Sequence, residues 1–295
     1  MNIIRFLKKC LTDPPAAWSS AKLVSRLYYG KAYWKIYPSA PLRCQLAGGG
    51  VLLLEPGHSF THCFWPAEDQ YEPDVRAALK HFLKPGATFV DCGSNIGYFS
   101  VLAGHIVGSQ GRVVSIEANP VTYRLLERNL QANGFGRAVN CALVSAPGEV
   151  ELFVPRQSQG ASEGGDVYSS LRKGGIVQGE EIDVIKVQGR LLDEVVSSLK
   201  LDRVDMVKID IEGAELDVLR SARHVLKELR PVVVCEYGIN TWPAFGATAE
   251  GLLALLAECD YTVGIFDVKS AAVRPVDETV WKSGYANLIL LPKID

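Results

Sequence analysis

The sequence predicts an α/β protein: a Rossmann-like, mostly parallel seven-stranded sheet with helices on both faces, plus an N-terminal helical arm and a small β-hairpin. Three observations carry this. Short apolar runs at 88–91, 112–117, 139–144, 204–210, 231–236, 261–267 and 286–291 punctuate stretches of helical spacing at 121–132, 215–229 and 249–258. One of those runs passes straight into a glycine turn and a helix. The length of 295 residues, 48% hydrophobic, is enough for one substantial core with appendages.

In chain order, residues 1–40 read as a basic amphipathic arm. Ile3, Ile4, Leu7 and Leu11 recur at helical spacing, and Asp13-Pro14 looks like a cap followed by proline at the first helical position. Residues 1–37 hold seven Lys or Arg against the single Asp13, a charge of +6 that leaves −8 for the rest of a chain whose net is −2. Such an arm packs on its own catalytic domain or a second subunit, or else lies on an anionic membrane surface. Residues 41–70 contain runs at 42–46 and 51–54 joined by Gly48-Gly49-Gly50, a hairpin signal. Residues 71–295 form the catalytic domain, opening with a helix from Asp74 to Leu83. Periodicity vanishes between Pro155 and Glu181, which hold six glycines. An inserted loop is expected there, beside a short strand at Val150–Val154.

Seven cysteines form no Cys-x-x-Cys pair, and no apolar run reaches the roughly 20 residues of a membrane span. A reduced, cytoplasmic setting is expected, with contact to the inner face of a membrane only if the arm binds lipid. The five histidines, His58, His62, His81, His105 and His224, lack metal-ligand spacing. No dedicated cation loop accompanies the carboxylates, so no metal site is assigned.

The strand Thr88-Phe89-Val90-Asp91 enters Cys92-Gly93-Ser94-Asn95-Ile96-Gly97. This is neither the Gly-x-Gly-x-x-Gly of a dinucleotide site nor a phosphate loop ending in Gly-Lys-Ser/Thr. An acid at that strand tip suits the cationic methionine portion of S-adenosylmethionine, directly or through water, better than a pyrophosphate. The second strand ends in Glu117, twenty residues beyond Gly97, where such folds place an acid against ribose hydroxyls. Asn119-Pro120 then caps the next helix, and Asn133-Gly134 closes it.

With these residues in hand, the chain resembles the FkbM family of methyltransferases over roughly residues 71–291. The likeness begins at Tyr71-Glu72-Pro73 and takes in the 91–97 loop, Glu117-Ala118-Asn119-Pro120 and Asn129-Leu130-Gln131-Ala132-Asn133-Gly134. It continues through Asn140-Cys141-Ala142-Leu143-Val144-Ser145, Ser169-Ser170-Leu171 and Leu192-Asp193. Its most specific segment is Val207-Lys208-Ile209-Asp210-Ile211-Glu212-Gly213-Ala214-Glu215, followed by Arg230-Pro231 leading to Glu236. The resemblance implies a class I methyltransferase fold, S-adenosyl-L-methionine as cofactor, and methyl transfer to a hydroxyl of a sugar, glycolipid or small-molecule metabolite. It assigns cofactor binding to Glu72, Asp91, Gly93, Ser94, Asn95, Gly97, Glu117, Ala118, Asn119, Asn140, Ala142 and Asp210. The segment Val187-Gln188-Gly189-Arg190-Leu191 departs from the family's strand-to-helix junction, and residues 1–37 lie outside the shared region.

Methyl transfer from a sulfonium needs an oriented acceptor and a base. Asp210, Glu212 and Glu236 stand at adjacent strand ends, where like charges raise at least one carboxyl pKa. Asp210 and Glu236 are the expected catalytic pair, with Glu212 organising the turn before the helix. Glu215 sits in the first helical turn, where the dipole alone favours an acid. Two other readings share the sheet: a nicotinamide-dependent oxidoreductase, and a non-catalytic, membrane-associated cofactor-binding protein. A nucleic-acid methyltransferase is disfavoured by a net-acidic catalytic portion without basic patches interleaved with aromatics.

Overall fold

The computed structural model describes residues 32–37, 39–55, 68, 71–155, 169–172, 181–282 and 284–293. The arm through residue 31, His58 and His62, and most of the 155–181 insertion lie outside the described residues. Ala32–Ile36 forms one helical turn, on which Tyr33 and Trp34 bond to the carbonyls of Pro41 and Ala40. Among the described residues no helix is long and apolar enough to cross a membrane.

Strands β1 (Leu42–Gln45) and β2 (Val51–Leu54) make the expected hairpin. Helix α1 (Pro73–Phe82) follows, then β3 (Thr88–Cys92), α2 (Tyr98–Val107), β4 (Arg112–Glu117), α3 (Pro120–Asn133) and β5 (Arg137–Asn140). After β6 (Ala142–Leu143), β7 (Gly148–Pro155), β8 (Ile182–Arg190) and α4 (Leu192–Ser198), the main sheet resumes with β9 (Met206–Ile209). Helix α5 (Glu215–Ser221), β10 (Val232–Gly238), α6 (Ala249–Glu258), β11 (Tyr261–Asp267), β12 (Ala272–Pro275), α7 (Glu278–Lys282) and β13 (Tyr285–Pro292) complete the chain.

The main sheet runs β12-β11-β13-β10-β9-β3-β4-β5. Its five strands from β5 to β10 are parallel, and β13 enters antiparallel between β10 and β11. Seven of these strands arise from the seven apolar runs of the sequence. The eighth, β12, is an exposed hairpin partner of β11 with too little burial to leave an apolar signature. Both sheet faces are covered, so residues on β3 alternate between two cores: Phe89 packs among side chains of α1 and α2, and Val90 among those of α4, α5 and α6.

Three expectations are refined. The run 139–144 is not one strand. Asn140 turns its amide onto the carbonyls of Glu117 and Ala118, which ends β5, and Ala142–Leu143 joins a separate sheet ordered β6-β8-β7. Strand β8 escaped the reading because this small sheet is half exposed, so Ile182–Arg190 mixes polar and apolar residues without a clear period. The single helix expected at 215–229 is broken after Ser221. The Asp193 carboxylate accepts the amides of His224 and Val225 and starts a new turn, Val225–Leu229, of π type.

The hairpin is tied to the catalytic sheet through two asparagines one helical turn apart on α3. Asn129 Oδ1 accepts the Leu53 amide at 2.6 Å while its Nδ2 donates to the Ile96 carbonyl at 2.8 Å. Asn133 pairs with both backbone groups of Val51. Leu42, Leu52 and Leu54 pack in the same apolar cluster as α1 and α2. Replacing the buried Asn129 by Ala strands one amide and one carbonyl, and should cost about 2–4 kcal/mol in urea unfolding. A loss below about 1 kcal/mol would mean the pairings are replaced by water.

Candidate active site

The carboxyl ends of β3, β4, β9 and β10 open into one cavity of about 660 Å³, the place where open α/β sheets bind ligands. Ten of the residues expected at the site line it: Glu72, Gly93, Ser94, Asn95, Glu117, Ala118, Ala142, Asp210, Glu212 and Glu236. Asp91, Gly97, Asn119 and Asn140 stand behind its wall. Gly97 begins α2 in the left-handed conformation against Leu126. Asn119 caps α3 by accepting the Val121 amide, and Asn140 holds the β4–α3 turn.

The loop after β3 spends its own amides internally. Gly93 and Ser94 both donate to the Ile116 carbonyl, Asn95 to Glu117 Oε2, Ile96 to its neighbour's side-chain Oδ1, and Gly97 to the Ser94 carbonyl. A diphosphate cradle requires such N–H groups to be free and convergent, so this loop is not one. What it presents is the Glu117 carboxylate, fixed by the amides of Asn95 and Asn119. Burial outweighs those bonds and pushes its pKa up to about 7. Each oxygen retains a lone pair for a sugar hydroxyl.

Asp91 does not reach the cavity. It is 1% exposed; its Oδ2 accepts the Ser100 hydroxyl at 2.5 Å, and Ser100 in turn accepts that of Ser115. Desolvation raises its pKa, and the facing ammonium of Lys208 opposes the rise. Asp91 therefore braces the loop from beneath.

Lys208, which sequence reasoning did not single out, lies opposite Asp91 in the β3–β9 register. Its ammonium is 2.6 Å from Asp210 Oδ2 and sits over the Phe99 ring, 4.9 Å from the centroid. Burial alone would lower its pKa, but Asp210, Glu72 and Asp91 hold it protonated. A signal was available: a lysine inside a wholly apolar strand demands a buried partner.

Two further carboxylates complete the inner end. Glu236, from β10, and Glu212, after β9, both have pKa values well above the usual range, first by desolvation and then by the charge of Asp210. Glu72, at the N-cap of α1, is pushed up to about 7 by burial, and its Oε2 is buried without a hydrogen-bond partner. Glu72, Asn95 and Glu212 all have positive φ, of 36°, 50° and 58°. The turn before α5 is organised by Glu215, not by Glu212 as expected: Glu215 Oε1 accepts the amides of Ile211 and Gly213, and Glu212 is left to face the cavity.

The outer wall comes from residues to which the sequence assigned no role. Tyr285 of β13, Asn240 and Thr241 after β10, and Tyr71, Tyr98 and Phe99 line it. So do Ser169 and Leu171 of the insertion, anchored by a Phe153–Ser170 bridge and by the Ser170 hydroxyl on the Glu212 carbonyl.

The family model for the methyltransferase FkbM domain matches residues 91–263. The methyltransferase sdnD of Sordaria araneosa is 32% identical over 181 residues, 53% of this chain and 67% of that protein. The hexuronic acid methyltransferase AglP of Haloferax volcanii is 29% identical over 164 residues, 55% of this chain and 61% of that protein. An O-methyltransferase from Bacillus cereus, solved in complex with SAH, aligns with a TM-score of 0.42 at 13% identity, covering 76% of this chain and 81% of that one. The chain belongs to the FkbM methyltransferase family, and S-adenosylmethionine is its methyl donor.

Proposed function

We propose that the protein methylates a hydroxyl oxygen of a sugar, glycolipid or other polyhydroxylated small molecule. The observation carrying this reading is the inner end of the cavity, where Glu236 and Glu212, two carboxylates of raised proton affinity, stand beside the Lys208–Asp210 pair. A hydroxyl needs a proton acceptor before its oxygen can attack a methyl group, and a carboxylate with a raised pKa is suited to that near neutral pH. Bound S-adenosylmethionine supplies the electrophilic methyl and needs no further activation.

The residues divide the work as follows. Glu117 accepts the ribose hydroxyls, and the partnerless Glu72 Oε2 faces the sulfonium end of the methionine portion. Asp210 is committed to Lys208 through one oxygen and orients the acceptor with the other. Glu236 takes the proton, and Asn240, Thr241 and Tyr285 offer hydrogen bonds to the remaining hydroxyls. The likeness to a hexuronic acid methyltransferase supports a carbohydrate-type acceptor.

Calorimetry with S-adenosylhomocysteine and with NAD, followed by mass spectrometry of hydroxylated acceptors incubated with the protein and S-adenosylmethionine, tests this. Binding of the homocysteine compound, none of NAD, and one methyl gained on oxygen are expected. NAD binding alone, or a methyl found on carbon or nitrogen, would sink the proposal.

A further inference from the structure

We infer that the cavity distinguishes the methyl donor from its demethylated product by charge, binding the sulfonium form about tenfold or more tightly than the neutral thioether at pH 8. This rests on the reading above, which places the reacting sulfur at the inner end, because that is where the proton acceptors stand.

The two ligands share their adenosine, amino and carboxyl groups and differ by one positive charge at sulfur. The difference is therefore read only by the charged groups around that atom. Glu72 comes from the start of α1, Asp210 from the end of β9, Glu212 from the turn beyond it and Glu236 from β10; all four line the cavity. Asp91 on β3 lies just behind them. Against these five carboxyl groups stands one cation among the described lining residues, Lys208, already bonded to Asp210. Two carboxylate oxygens there, Glu72 Oε2 and Asp91 Oδ1, are buried with no hydrogen-bond partner. Burial holds Glu212 and Glu236 toward their neutral forms, and the Tyr71 phenol bonds Glu72. The negative charge an arriving cation meets therefore comes chiefly from Glu72, Asp210 and Asp91 and exceeds the single charge of Lys208.

The remaining groups packed on the cluster do not change the sign. Glu215 is spent on backbone amides. The Tyr71 and Tyr285 phenols have pKa values raised by burial and stay neutral. Asp74, on the first turn of α1, accepts from Asn287.

Charge discrimination of this kind carries a pH signature. Glu72 is pushed up to about 7 by burial, and Glu212 and Glu236 are raised well above the usual carboxylate range. Below pH 7 Glu72 is mostly protonated and the excess negative charge shrinks; above it, the excess grows. A bound sulfonium lowers these proton affinities, so binding releases protons that the thioether leaves in place. The functional outcome is that loss of the methyl weakens the hold on the spent cofactor, and product release follows from the chemistry itself.

The test is calorimetry of the full chain with S-adenosylmethionine and S-adenosylhomocysteine at pH 6 and pH 8, each in two buffers of different ionisation enthalpy. The expected donor-to-product affinity ratio is about ten or more at pH 8 and about three or less at pH 6, with more protons released by the donor. Glu72→Gln should cut the pH 8 ratio by about threefold and flatten its pH dependence. Equal or tighter product binding at pH 8, or one ratio at both pH values, overturns the inference while the cofactor assignment stands. Failure of both ligands to bind overturns the inference and the cofactor assignment together.

Discussion

Glu236→Gln should lower kcat by about 10²- to 10⁴-fold, the range spanned by loss of a positioned general base, and leave S-adenosylhomocysteine affinity within about threefold. The substitution keeps the shape of the side chain and removes only its ability to take a proton. Glu236 is suited to the role by its position. It lies on the sheet face shared with Lys208 and Asp210, one strand over, and its backbone carbonyl is fixed by the Trp242 indole N–H at 3.2 Å. Its pKa is raised mainly by desolvation and then by Asp210. Activity of the native protein should therefore climb with pH over a range displaced above that of an ordinary carboxylate, as the carboxyl loses its proton, and the variant should lose that rising limb. Asp210→Asn would act differently, because it breaks the ion pair with buried Lys208 and strands an ammonium. Its loss of activity should come with a loss of thermal stability, which separates the two roles. If Glu236→Gln keeps more than about a tenth of the native rate, the proton acceptor is elsewhere, and Glu212 is the next carboxylate to replace.

The legible parts of the molecule were those whose cause is local. A strand covered on both faces must be apolar, so the apolar runs marked the central strands, while the partly exposed β5 was found only with displaced bounds. The cap at Asn119 and the glycine bend at 93–97 advertise themselves through turn chemistry. What escaped depends on long-range pairing. Strand β8 was hidden because its sheet is half exposed. The break between Ser221 and Val225 is imposed by Asp193, some thirty positions earlier in the chain. Tyr285 reaches the cavity only because β13 inserts between β10 and β11, which no local pattern encodes. Glu212 was given the turn that Glu215 organises for a similar reason. Both are acids at a helix entrance, and only the fold decides which one the amides of Ile211 and Gly213 capture. Asp91 was correctly placed beside the bend, but its side chain is held by Ser100 of the covering helix and kept off the cavity, although it shares the sheet face of Lys208.

Gly93→Ala should be the most damaging single substitution in the cofactor loop, destabilising the protein by about 3–5 kcal/mol and abolishing measurable S-adenosylhomocysteine binding. Two costs coincide at this residue. Its φ is +78°, a region where a side chain is strained. A Cβ would also fall 1.7 Å from the Asp210 carbonyl oxygen and 3.1 Å from Ile211 Cγ2. The nearer obstacle is backbone and cannot rotate aside. It is further fixed because the Asp210 amide donates to the Cys92 carbonyl at 3.0 Å. Relief requires prising β3 from β9 at their carboxyl ends, where Asp210, Lys208 and the loop meet. Gly134 provides the control. It closes α3 at φ +70° with nothing within 4 Å of an added Cβ, so Gly134→Ala incurs the conformational strain alone, about 1–2 kcal/mol. Thermal melts of the two variants, with calorimetry on each, separate strain from collision. If Gly93→Ala melts no lower than Gly134→Ala, the β3–β9 crossing is softer than its backbone contacts imply.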